Sequence, residues 1–98
     1  MGVADDYFAL PANKRVEVLA WAIHQETINA RALHHYTPQD CDGLYKITER
    51  IHRLAQGVIH AQRDDGDRGR WALELVLEAE SISVDRLKSW IDGEWPDG

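Results

Sequence analysis

Apolar residues recur three and four positions apart along most of the chain, no alternating run of strand length occurs, and β-branched residues are dispersed. The pattern predicts an all-α fold. After Pro11, whose missing N–H suits a first helical position, residues 12–36 run without a further breaker and read as one long helix. Its expected core face is Val16, Leu19, Ile23, Ala30 and Leu33, with Trp21 and Ile28 widening the apolar surface. Thr37-Pro38-Gln39-Asp40 reads as an N-cap, a helix-start proline and a carboxylate favoured by the helix dipole. A second helix is therefore expected over 38–62, with Leu44, Ile47, Ile51, Leu54, Val58 and Ala61 as its seam and Gly43 and Gly57 interrupting its propensity. The short connection predicts a long antiparallel hairpin, each arm roughly 37 Å at about 1.5 Å per residue.

Residues 63–69 carry two glycines, three aspartates and no apolar residue, the composition of a solvated connection. Two shorter helices follow. The first spans 70–80, with Trp71, Leu75, Val76 and Ala79 expected inside and Glu74, Glu78 and Glu80 in water. Ser83 can cap the second, over 84–91, which Gly93 and Pro96 close. Residues 1–10 read as a short turn of helix or an irregular arm whose aromatics Tyr7 and Phe8 are expected to rest on the core, and 92–98 as a polar tail carrying Trp95. The whole reads as a single helical domain.

Composition narrows the class. Ninety-eight residues at 44% hydrophobic suffice for one core and exclude a second domain. Eleven basic against 17 acidic residues give a formal net charge of −6, and no apolar stretch is long enough for a membrane span. A single cysteine, Cys41, allows no internal disulfide, and no export signal is visible, so a cytoplasmic setting is expected. Of the four tryptophans, Trp71 and Trp90 are assigned to the core and Trp95 to a surface or interface.

The segment 76–96 bears on function. Ile82 after the turn, Ser83, the two core positions Leu87 and Trp90, then Gly93 and Pro96, resemble the helix-turn-helix of repressor/Cro-like DNA-binding proteins. Leu77 and Glu80 stand where that family has a small and an apolar residue. The resemblance implies a dimeric transcriptional regulator in which Ser83, Asp85, Arg86, Lys88 and Ser89 face the major groove. Charge opposes this. From residue 70 to the end there are three basic and seven acidic residues, a local net of −4, whereas DNA affinity comes largely from neutralised phosphates.

A basic stripe, Lys46, Arg50, Arg53 and His60, lies along the second long helix and could contact a phosphate chain; the plainer reading is a solvated face balancing acidic neighbours. The spacing of Arg53 and His60 is similar to that in HEPN-type helical ribonucleases, but no second supporting polar group accompanies it. His34 and His35 suit a helix C-terminus. His24, His52 and His60 make no i,i+4 pair, and no second thiolate joins Cys41, so neither a metal nor a cofactor is expected. Asp64, Asp65 and Asp67 lack the terminal glutamate of a calcium loop.

The leading expectation is a non-enzymatic, small acidic protein-binding module: an inhibitor, antitoxin, immunity factor or phage-encoded blocker. Glu74, Glu78, Glu80, Asp92, Glu94 and Trp95 would face a basic, nucleic-acid-binding partner. The alternative is the DNA-binding dimer, using Ser83, Arg86, Lys88 and Ser89 with Lys46, Arg50 and Arg53. Regular apolar seams also predict homodimerisation, two hairpins packing as four helices.

Overall fold

A computed structural model describes residues 2–63 and 68–94. All regular structure among them is helical: α1 (Val3–Phe8), α2 (Ala12–Tyr36), α3 (Cys41–Gln62), α4 (Arg68–Glu78) and α5 (Val84–Ile91). No described helix is long and apolar enough to cross a membrane. The segment at the start contains a helix, capped at its N-terminus by the Asp5 carboxylate accepting from the Gly2 N–H at 3.3 Å. Its Tyr7 enters the core at 2% exposure, whereas Phe8 stays outside, beneath the Arg15 guanidinium at 5.7 Å.

Two expected boundaries move, each for a local reason. The second long helix starts at Cys41 and not at Pro38, because Asp40, not Thr37, is the cap: its carboxylate accepts the Gly43 N–H at 2.9 Å. Helix α4 occupies 68–78 in place of 70–80, because the chain turns left-handed at Glu80, φ 57°. There the Glu80 N–H reaches the Leu77 carbonyl at 3.1 Å and the Ser81 N–H the Val76 carbonyl at 3.1 Å, the paired bonds of a Schellman ending. Helix α5 closes in the same way with Gly93 at φ 88°, while Ser83 caps its start.

The packing faces also differ from the pattern's suggestion. Helix α2 buries Arg15, Val18, Leu19, Ala22 and Glu26, a seam rotated from the expected one, on which Val16 and Ile23 are only half-buried. Helix α3 buries Ile47, Leu54, Gly57 and Ala61, so Gly57, which lowers the helix propensity, is itself part of the buried seam. Helix α4 turns Gly69, Ala72, Leu73 and Val76 inward. Small residues at the crossing let α3 and α4 approach: a β-carbon on Gly57 would lie 2.8 Å from the Gly69 Cα, and one on Gly69 would strike the Tyr7 hydroxyl. Burial pushes the Tyr7 phenol up to about 12, with the Arg15 charge acting in the opposite direction.

Helices α2 and α3 share the most extensive contact. Helix α4 lies on α3, α1 packs against α4, α5 and α2, and α5 also packs against α2. The core they enclose is built around Leu19, Leu54, Leu73, Val76, Leu87 and Trp90.

Candidate functional site

The inward seam of α4 decides what its other side presents. With Ala72, Leu73 and Val76 committed to the core, Trp71 and Leu75 point out, at 59% and 40% exposure. This corrects the expectation that Trp71, Leu75 and Ala79 are buried. Small residues at 69 and 72 bring the helix close to α3 on one side, leaving no room there for an indole. Trp71 and Leu75 border a groove of about 350 Å³ between α3 and α4, whose rim carries Arg53, Gln56, Arg68, Glu74 and Glu78. Arg70 bridges Asp5 of α1 at 2.9 Å and Glu74 at 3.4 Å, which fixes the helix against the N-terminal arm.

The acidic residues singled out in the sequence do not gather in one place. Glu74 and Glu78 border the α3–α4 groove; Glu80 holds the left-handed turn; Asp92 is the C-cap of α5. Glu94 joins Arg86, Ser89, Trp90, Trp21 and His24 around a second groove, of about 460 Å³, between α2 and α5. Trp95 and the aspartates 64, 65 and 67 lie outside the described residues.

Most of the candidate nucleic-acid contacts are engaged within the fold. The Ser83 hydroxyl accepts the Arg86 N–H at 3.1 Å, the Arg86 guanidinium donates to the Gln25 side chain, and the Ser89 hydroxyl donates to the Asp85 carbonyl at 3.1 Å. Lys88 is exposed. On α3, Lys46 pairs with Asp42 at 3.3 Å and Arg53 with Glu49 at 3.2 Å. Arg50 departs from the expected solvated stripe: its Nε meets Glu26 at 2.5 Å, with 16% of the Arg50 side chain and none of the Glu26 side chain exposed.

Glu26 anchors a polar network that the apolar pattern did not disclose. Its second oxygen accepts from the Asn29 amide at 2.7 Å, that amide also reaches the Ser81 carbonyl at 3.2 Å, and the Asn29 oxygen accepts from Gln25 at 3.1 Å. Through Gln25 and Arg86 the chain of bonds ends on α5, so α2 is tied to α3, to the α4–α5 turn and to α5. A carboxylate at a heptad-like position after Leu19 and Ala22 is the one sequence sign of it, and it becomes readable only when Arg50 is known to face it.

No group of three or more histidine, cysteine, aspartate or glutamate side chains among the described residues could hold a metal ion. Neither a family model, nor a curated protein, nor a solved structure matches the chain.

Proposed function

We propose that this protein is a small acidic binding module, acting without catalysis on a protein partner of basic surface, and that the outer face of α4 is its contact surface. Such a module would work as an inhibitor, antitoxin or immunity factor works, by covering a surface that otherwise meets nucleic acid. The observation that carries the reading is Trp71: 59% exposed, beside Leu75, with Glu74 and Glu78 bordering the same groove. An indole held open by a helix is the residue type on which binding energy concentrates, and the Glu74 and Glu78 carboxylates on one side of it, opposite Arg68, orient an approaching cationic partner. The frame beneath is read as an antiparallel hairpin of α2 and α3. Support comes from Leu19 lying by Gly57 and Glu26 by Arg50, so that advance along one helix accompanies retreat along the other.

The test is selection of displayed amphipathic helical peptides rich in lysine and arginine against the purified chain. Wild type is expected to enrich binders, and Trp71→Ala to weaken them by about 2 kcal/mol or more, roughly 30-fold. Glu74→Lys with Glu78→Lys should abolish them. Duplex DNA serves as the contrasting probe: binding that is lost on Arg86→Ala with Lys88→Ala, while no peptide is selected, overturns the reading in favour of a helix-turn-helix regulator.

A further inference from the structure

We infer that the outer face of α4 is self-complementary and takes a second copy of this chain, α4 against α4, antiparallel about a two-fold axis that crosses the outer face at the level of residue 73. The inference rests on reading that face as the contact surface, and it names an occupant. Along the face run Arg68, Trp71, Leu75 and Glu78, at spacings of three, four and three, the repeat that keeps side chains on one side of a helix. All four are exposed and border one groove.

A two-fold axis pairs positions that straddle it equally. Trp71 and Leu75 lie two residues to either side of 73, and Arg68 and Glu78 lie five to either side. One register therefore sets the Trp71 indole of each copy against Leu75 of the other, and the Arg68 guanidinium of each against the Glu78 carboxylate of the other. Every favourable pair forms twice. A parallel arrangement would instead set Arg68 against Arg68 and Glu78 against Glu78, so charge selects the antiparallel one.

An 11-residue helix is roughly 16 Å long at 1.5 Å per residue. A contact of that length falls at the low end of specific interfaces, where association is weak and reversible. The expected dimer is thus micromolar, and at lower concentrations the same face is open to a basic partner. Self-association and partner capture then exclude one another, which makes the dimer a store of masked binding surface. The contact differs from a packing of hairpin on hairpin, because it uses α4 alone with the rim of α3.

Sedimentation equilibrium of the full chain, from about 1 to 500 μM, tests this in the range set by the small contact. Wild type should show a monomer–dimer equilibrium. Arg68→Glu and Glu78→Arg should each weaken it on the order of tenfold or more, since one substitution acts twice across the axis. The double variant Arg68→Glu/Glu78→Arg should recover to within about threefold of wild type, because it restores both pairs in reverse. Trp71→Ala should leave monomer. Circular dichroism checks that each variant keeps its helices.

A wild-type chain that stays monomeric throughout overturns the inference. So does a double variant no tighter than the singles, or a dimer that persists in Trp71→Ala. A monomeric chain that still selects basic helical peptides through Trp71 sinks the dimer alone. A chain that dimerises as described but selects no peptide sinks the heterologous reading alone.

Discussion

Glu26→Gln keeps the size of the side chain and removes a negative charge from a position without solvent access. Glu26 accepts from Arg50 on one oxygen and from Asn29 on the other. A glutamine has one oxygen to offer, so if it serves Arg50 its amide N–H groups face the Asn29 amide, donor against donor. Turning Asn29 over removes that conflict but withdraws its donor from the Ser81 carbonyl and its oxygen from Gln25. Each lost hydrogen bond costs about 1 kcal/mol, and stranding one member of a buried ion pair typically costs about 3–5 kcal/mol. Because Arg50 keeps 16% exposure and can draw on water, and the glutamine oxygen still accepts from it, the total is reduced to about 2–4 kcal/mol. In a domain of this size that lowers Tm by roughly 10–25 °C. Urea unfolding followed by far-ultraviolet circular dichroism should show a lower midpoint at unchanged slope. The double variant Glu26→Leu/Arg50→Met should recover most of the loss, since packed apolar groups replace such pairs at little cost. A Glu26→Gln chain within about 0.5 kcal/mol of wild type would refute the reasoning, because no buried carboxylate would then be holding Arg50.

Gly57→Ala should destabilise by about 1–2 kcal/mol in the same urea assay despite alanine's better helix propensity, because the new carbon meets the Gly69 backbone and no side chain can yield. Asp40→Ala removes the α3 cap and should cost about 1 kcal/mol, read as a lower urea midpoint. Glu80→Gly relieves a left-handed residue and should stabilise by up to about 1 kcal/mol, read as a higher urea midpoint. For Tyr7, the folded chain holds the phenol proton to about pH 12 while the unfolded chain releases it near 10. The stability this contributes is complete below pH 10 and is lost as pH rises from 10 to about 12, up to about 2–3 kcal/mol. Unfolding midpoints of Tyr7→Phe across that window should decline less than those of wild type.

The helix spans were legible where local chemistry marks them. Pro11 opens α2, and Ser83 and Gly93 bracket α5, so 12–36 and 84–91 coincide with the structure. At α3 two capping residues compete within one connection, Thr37 and Asp40, and the chain uses the one whose carboxylate reaches Gly43. Faces were harder than spans. Apolar residues surround much of α2, so no single stripe stands out, and its seam includes Glu26, whose place depends on a partner 24 residues away. On α4 large apolar residues occupy both sides, and the choice fell to the side whose small residues allow α3 to approach. Hydrophobicity alone sends Trp71 inward; close packing of Gly57 on Gly69 sends it out. That reversal turned an assigned core residue into the centre of the candidate site.

Oxidative footprinting by hydroxyl radicals, with mass-spectrometric readout, tests the claim that the outer face of α4 is the contact surface. The protein is held below micromolar concentration, with and without a selected basic helical peptide. Binding should slow modification of Trp71 and Leu75 several-fold, as expected where an indole is buried at the centre of an interface, and leave Trp21 and Trp90 unchanged. Modification of Trp71 that is unaltered at saturating peptide, with protection moving instead to Val84 and Lys88 on α5, would contradict it.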